Sequence, residues 1–417
     1  MLDNVWKDVQ KNNKIMTRKE IQMKILMLSW EYPPRIVGGI SRVVYDLTQQ
    51  LAKQGHEIHV ITCWDFDAKE FEHENNIYVY RVKSYDIHNP QFTDWVMHMN
   101  FVMVECGIKL MNEIKDIDII HAHDWLVAYT ARVLKHAYKI PLICTIHATE
   151  HGRNSGIYND MQRYIHNVEW WLAYESWKVI CNSDYMENEI KDIFRVPENK
   201  IQVIPNGICV EYLNGIERDM IFRKKFALDN EKIIFFVGRL VQEKGVHILL
   251  EAATKVIQYY HNIKLVIVGK GNQMEYLNRK AEDLGIKHKV YFTGYMDDND
   301  LKKLYRCIDI AVFPSLYEPF GIVALEAMLA KVPAVVSDTG GLGTLVNHRV
   351  DGMKAYKGNA NSLADSILAL LYQPDLYQKV RERAFEKVQK DYNWNVVADK
   401  TLKVYEEVIE ERRKTHW

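Results

Sequence analysis

Short runs of apolar and β-branched residues recur along the chain, separated by longer stretches with helical spacing. In the first half the runs fall at 24–30, 57–63, 77–82, 118–124, 141–147, 178–183 and 201–207. In the second half they fall at 232–238, 264–269, 289–294, 309–314 and 333–338. They end in glycine or polar turns, and they read as continuous rather than alternating apolar strands. That pattern fits a sheet covered on both faces. Strands alternating with helices predict an α/β architecture with parallel sheets. Between Asn206 and Asp229 strand character lapses into the polar stretch NGICVEYLNGIERD. The break predicts two doubly wound domains, 23–207 and 229–394, with a linker at 208–228. Two such domains facing each other leave a cleft lined by loops at the C-terminal strand ends, where open α/β sheets bind ligands. The segment 395–417 has helical periodicity. Residues 1–22 are expected as a short helix or a disordered lead.

Composition narrows the class. A chain of 417 residues is long enough for two ordinary domains. With 48% hydrophobic and 26% charged residues it reads as a soluble globular protein. A formal net charge of −1 argues against a broad electrostatic footprint for nucleic acid or an anionic membrane. Six cysteines, at 63, 106, 144, 181, 209 and 307, form no CxxC pair, and several lie inside strand runs. Buried free thiols in a reducing compartment are expected, hence a cytoplasmic location. No apolar stretch is long enough to span a membrane, and residues 1–22 carry no signal-peptide core.

The segment SLYEPFGIVALEAMLAKVPAVVSDTGG, Ser315 to Gly341, is the most informative about chemistry. An apolar strand run stops at Glu318-Pro319, and Phe320 to Leu329 supplies helical material. Glu318 then precedes the helix start and Glu326 lies about two turns further in, roughly 12 Å along the axis. Free backbone N–H groups near Gly321 point outward between the two carboxylates and favour an anion. A diphosphate with a polyol on each side, the shape of a nucleotide sugar, fits that spacing. A surface glutamate followed by an amphipathic core helix fits it too.

Arg239 and Lys244 lie in GRLVQEKG after a strand run, where two cations can close around a diphosphate. A solvated basic turn is the plainer alternative. Gly38 and Gly39 sit between the first strand and a helix from about Ser41, and permit close backbone approach to phosphate. HAHDW holds His121, His123 and Asp124, a ligand-rich pattern with no later cluster to complete a metal site. His147 ends another strand run and Asn206-Gly207 forms a turn; each is equally at home in a structural role. Asp65-Phe66-Asp67 and Asp116-Ile117-Asp118 read as solvated turns. Trp170, Trp171, Tyr174 and Trp177 recur at helical spacing and read as core, while 89–100 reads as an acceptor-side loop. GxxxxGK[ST] is absent, and Met274 replaces the third glycine of a dinucleotide fingerprint begun at Gly269-Lys270-Gly271.

From Met23 onward these motifs resemble, in order, retaining glycosyltransferases of the GT-B fold, family 4 and the neighbouring glycogen synthases. The resemblance rests on KILMLSWEYPP, VGGISR, HAHDWLVA, TIHATEHGRNSG, GRLVQEKGVH and YEPFGIVALEA. It implies two Rossmann-like domains facing a central cleft, with the tail 395–417 packing back on the first. It implies catalytic or donor-sugar roles for Arg239, Lys244, Glu318, His147 and Asp124. It places Gly38, Gly39, Asn206, Phe320, Gly321, Ile322, Val323 and Glu326 around the donor, Glu326 at the ribose. It further implies transfer of glucose from ADP-glucose or UDP-glucose to the non-reducing end of an α-1,4-glucan, without a metal or other cofactor. A lipid or cell-surface glycan acceptor is the alternative. A nucleotide-sugar epimerase and a non-catalytic sugar-binding protein are the competing classes. Oligomeric state is left open.

Overall fold

The computed structural model describes residues 22–85, 87, 91–114 and 116–417. The lead at 1–21 and the expected loop residues Asn89 and Pro90 lie outside the described residues. The chain divides into two compact units. One runs to Thr145 and includes Trp171–Lys178 and Leu402–Trp417; the other comprises Ile146–Trp170 and Val179–Thr401.

In the first unit the strands are β1 (Lys24–Leu28), β2 (Glu57–Cys63), β3 (Phe71–Glu74), β4 (Ile77–Val82), β5 (Ile119–His123) and β6 (Leu142–Ile146). Their order is β3-β4-β2-β1-β5-β6. β1 pairs in parallel with β2 on one side, Ile25 opposite Ile58, and with β5 on the other, Met27 opposite His121. Ile25 to Leu28 are fully buried, as a strand covered on both faces requires. β3 was not expected from the sequence. Its residues FEHE are all exposed and pair antiparallel with β4 at the sheet edge, where no apolar side chain is demanded.

In the second unit β7 (Lys178–Cys181) pairs with β8 (Ile201–Val203), Val179 opposite Ile201. A six-stranded parallel sheet follows, in the order β11-β10-β9-β12-β13-β14. It consists of β9 (Lys232–Val237), β10 (Ile263–Val268), β11 (Val290–Gly294), β12 (Ile310–Phe313), β13 (Ala334–Ser337) and β14 (Met353–Ala355). Phe235, Phe236 and Phe313 are at most 1% exposed, and burying each contributes about 1.5–3 kcal/mol. The helix Val246–Tyr259 turns Leu249, Ala252, Ala253 and Val256 inward, the spacing of one helical face.

Both sheets are Rossmann-like, and each has a point where strand order reverses. It falls between β1 and β5 in the first unit and between β9 and β12 in the second. Ligands of open α/β sheets bind beyond the strand ends at such points.

Three local expectations change. The helix expected from Phe320 begins at Ile322, because Gly321 adopts φ 102° and stops helical geometry before it. The expected loop at 89–100 becomes helix at Phe92, in an element running to Glu113 with Val96, Met99 and Met103 buried. Trp170 and Tyr174, expected in the core, are 44% and 66% exposed. Among the described residues no helix is long and apolar enough to cross a membrane.

Candidate active site

In the second unit the loops after β9, β12 and β13 are locked together through their backbones. Leu316 N–H donates to the Glu243 carbonyl at 2.7 Å, and Gly341 N–H to the Glu318 carbonyl at 2.8 Å. Two glycines make this approach possible. At Gly245, φ 67°, a Cβ would run into the Pro314 carbonyl; at Gly340, φ 55°, it would run into that of Glu318. Ser183 caps the helix Asp184–Phe194 and donates its hydroxyl to the Pro319 carbonyl at 2.7 Å. The backbone around Glu318 is therefore held from three directions.

That scaffold brings Lys244 and Glu318 together. Lys244 closes a short 3-10 turn after β9, and its Nζ lies 2.7 Å from Glu318 Oε2. Ser315 Oγ donates to the same oxygen at 3.4 Å. The two side chains are only 19% and 11% exposed, so the pair is partly shielded from water. Arg239 does not join them. Its guanidinium is 59% exposed and contacts Glu243 Oε1 at 3.3 Å.

Glu326 is 4% exposed and accepts a hydrogen bond from Tyr305 Oη at 2.7 Å. Tyr305 is itself fully buried against Phe235. No side chain caps the helix Ile322–Leu329, so the N–H groups at Ile322 and Val323 stand at an uncapped positive helix end. The Phe320 ring is buried and packs toward Tyr392, leaving its backbone for the loop.

His147 follows β6 and is 7% exposed, its carbonyl accepting from Asn182 Nδ2 at 3.2 Å. Two residues on, Thr149 caps the helix Glu150–Asn154, and its N–H donates to Tyr317 Oη at 3.4 Å. Tyr317 in turn donates to Glu189 at 3.1 Å. This network ties the His147 segment to the Glu318 loop. Asn206 is buried in the turn after β8, which is anchored by Ile208 N–H to the Tyr392 carbonyl at 2.7 Å.

In the first unit Asp124 follows β5 with φ 59° and ψ 173°, a region nearly reserved for glycine and costing about 1–3 kcal/mol. Its N–H is pinned to the Thr145 carbonyl at 3.0 Å, and the residue is 3% exposed. Strain of this kind at a strand-order reversal makes Asp124 a candidate functional residue. His121 has both ring nitrogens engaged, by Tyr405 Oη at 2.8 Å and Thr145 Oγ1 at 2.7 Å, which makes it structural. Among the described residues no three His, Cys, Asp or Glu side chains converge as a metal-ligand set.

Gly38 and Gly39 open the helix Gly39–Lys53. The N–H groups of Val37 and Gly38 both donate to Glu31 Oε2, at 2.7 and 2.8 Å. The anion on this loop is thus the chain's own carboxylate. Glu31 is 1% exposed. Burial pushes its pKa up, the two N–H groups pull it down, Asp124 adds to the rise and Arg35 opposes it; the net shift is upward. Sequence reasoning missed Glu31. The available signal was a carboxylate in WEYPP, directly after a buried strand.

Residues 217–387 match the model for group 1 glycosyl transferases, and residues 37–212 match that for glycosyltransferase family 4. An uncharacterized glycosyltransferase of Methanocaldococcus jannaschii is 40% identical over 93% of this chain and 99% of its own. A glycogen synthase of Mycobacterium tuberculosis is 34% identical over 92% and 94%. In three dimensions the sucrose-phosphate synthase of Thermosynechococcus elongatus superposes with a TM-score of 0.80 at 21% identity, covering 94% of this chain and all of its own. Near-full-length similarity to these relatives identifies the family: this chain is a glycosyltransferase of the family-4-like group, with the GT-B fold.

Proposed function

We propose that the enzyme draws its sugar from ADP-glucose or UDP-glucose and transfers it with retention of anomeric configuration. The 2.7 Å contact of Lys244 with Glu318, at the strand-order reversal between β9 and β12, carries this reading. In the proposed reaction the departing diphosphate lies at the uncapped helix start near Gly321. Lys244 stabilises the negative charge that grows there, and Arg239 adds a second cation at the mouth of the loop. Glu318 receives donor-sugar hydroxyls, and Glu326, oriented by Tyr305, receives the ribose. His147, Asp124 and Asn206 border the transferred sugar, and the segment 23–207 serves the acceptor while 229–394 holds the donor. The acceptor hydroxyl attacks on the face from which the diphosphate leaves, and the diphosphate takes its proton.

For the acceptor we favour the wider reading, a sugar on a lipid or cell-surface glycan. The relatives whose names include an acceptor vary beyond glucans: D-inositol 3-phosphate at 28% identity over 70% of this chain, and L-malate at 26% over 89%. Elongation of an α-1,4-glucan is the second reading, favoured by the 34% identity to a glycogen synthase. Incubation with ADP-glucose, UDP-glucose and other nucleotide sugars tests both. Glycogen, maltooligosaccharides and a lipid-linked glycan serve as acceptors. Free nucleoside diphosphate with an extended, anomerically retained product is expected. Donor isomerisation without transfer, or binding without turnover, overturns the proposal.

A further inference from the structure

In the first unit the two faces of β4 are covered unequally. Ile77, Val79 and Arg81 are buried, whereas Tyr78, Tyr80 and Val82 are only partly so. The helices Gly39–Lys53 and Phe92–Glu113 both pack on β2 and β4. Cys63, paired with Val82, touches Met99 of the second helix, which sets that helix on the tyrosine side. Its Cys106 and Glu113 lie within electrostatic range of the Tyr80 hydroxyl.

On this side β3 carries the sheet past the helix. All four residues of β3 are exposed, Phe71 by 52%. Phe71 lies against Tyr80 at 5.2 Å, and His73 stacks on Tyr78 at 4.0 Å. Tyr78 also stacks on the buried His59 of β2 at 4.8 Å. Phe71, His73, Tyr78 and Tyr80 thus form a half-open aromatic floor, with Cys106 and Glu113 to one side. Sheets of this kind bury such faces, and edge strands are commonly closed by a helix or loop.

One segment of the chain is stationed to do this. Residues 1–21 precede the described part, which begins beside β2. Met23 N–H donates to His56 Nδ1 at 3.2 Å, and the Met23 carbonyl accepts from Glu57 N–H at 2.9 Å. β4 is the other neighbour of β2, so about two strand spacings, roughly 10 Å, separate this point from the floor. Residues 10–22 can span about 40 Å when extended, so reach is not limiting. Before them Leu2, Val5, Trp6 and Val9 recur at i, i+3, i+4 and i+7, the spacing of one apolar helix face. Charge is compatible. Residues 1–21 hold five Lys or Arg and three Asp or Glu, whereas Glu57 and Glu113 lie near Tyr80 and Lys109 near Cys106.

We infer that residues 1–21 dock on this floor, turning Leu2, Val5, Trp6 and Val9 onto Phe71, Tyr78 and Tyr80. The docked segment completes the cover of the sheet edge and closes over Cys106. The docking does not depend on which sugar the enzyme transfers.

Alkylation of the full-length protein by a maleimide, read at each cysteine by mass spectrometry, tests this. Cys106 is half-buried beside the floor, and Cys209, half-buried in the second unit, is the internal control. Trp6→Asp should speed alkylation of Cys106 roughly tenfold and leave Cys209 unchanged, because opening of the cover sets the rate. Amide hydrogen exchange over 71–82 should quicken in the same variant. Trp6→Phe should stay close to wild type. So should Asn4→Asp, which adds the same charge on the opposite helix face. Cys63, Cys144, Cys181 and Cys307 are buried, and their continued silence shows that each variant is folded. Equal Cys106 rates and equal exchange in wild type and Trp6→Asp overturn the inference. So does protection that grows with protein concentration alongside a doubled mass in sedimentation, which would give the floor to a second copy of the chain.

Discussion

Lys244 Nζ sits 2.7 Å from Glu318 Oε2, although 74 residues separate them in sequence. In the proposed reaction a diphosphate drawn to Lys244 competes with Glu318 for that cation. Arg239 is paired with Glu243 rather than with Glu318, so in the proposed reaction it adds to Lys244 without replacing it. Lys244→Ala should lower turnover by roughly 10²–10³-fold, as for loss of one transition-state donor, with a smaller fall in donor affinity. Lys244→Arg should rescue only in part, because a planar fork does not reproduce a compact ammonium. Steady-state kinetics with separate donor-binding measurements decide, and near-normal turnover in Lys244→Ala contradicts the assignment.

The same pairing makes an opposite-signed prediction for its partner. Glu318→Gln removes the carboxylate that Lys244 now holds. Nucleoside diphosphate should then bind as tightly as before or tighter, while turnover falls sharply. Calorimetry with the diphosphate checks this. Weakened binding in a folded variant means that Glu318 does not compete for Lys244.

Glu326 and Tyr305 form a buried pair at 2.7 Å. Glu326→Ala should weaken nucleoside-diphosphate binding by about 1.5–3 kcal/mol, the loss of a charged hydrogen bond. It should also destabilise the fold, because the Tyr305 hydroxyl loses an acceptor. Tyr305→Phe in the same background should recover part of that stability without restoring binding. Urea unfolding and calorimetry separate the two effects. Unchanged affinity in folded Glu326→Ala would remove it from the site.

Most strands were legible because each is a continuous apolar run ending in glycine or a polar turn. β3 and β14 were not. FEHE lies exposed at an edge, and MKA is three residues long, too short to show a period. Lys244, Glu318 and Asp124 stand where strand runs stop, but the family resemblance, not that position alone, singled them out as candidates. Glu31 was not legible, because its role depends on the loop folding back so that Val37 and Gly38 donate to it. The contact of Tyr317 with Glu189 joins positions 128 residues apart and leaves no local pattern. The place of Arg35 between Trp30 and Trp95 depends on the helix start at Phe92 and leaves no local pattern.

In the proposed reaction Lys244 and Arg239, both on the loop after β9, counter the charge of the departing diphosphate without a metal. Transfer should therefore continue in excess EDTA at close to its untreated rate. Initial rates with and without chelator check this. Complete loss restored by a divalent cation would give the diphosphate a metal partner and reduce Lys244 to a supporting role.

Glu31 makes a pH-dependent prediction. Burial is the largest influence on its carboxyl and raises its pKa above the ordinary 4.5; the Gly38 and Val37 N–H groups offset this only in part. The folded chain then holds this proton to higher pH than the unfolded chain does. Between the ordinary and the raised value the folded state binds more protons, so stability falls as pH rises through that window. Below the window both states are protonated and the penalty vanishes. Above it both are ionised and the penalty is complete. Glutamine cannot ionise, yet its single carbonyl oxygen can accept both N–H groups, since both reach the same oxygen of Glu31. Glu31→Gln should therefore gain stability relative to wild type as pH rises from about 4 toward neutrality, with the difference levelling off once Glu31 is ionised. Urea unfolding of both proteins across that range measures the difference directly. A flat difference, or one that shrinks with rising pH, would mean that the loop's N–H groups outweigh burial and hold Glu31 as a stabilised anion.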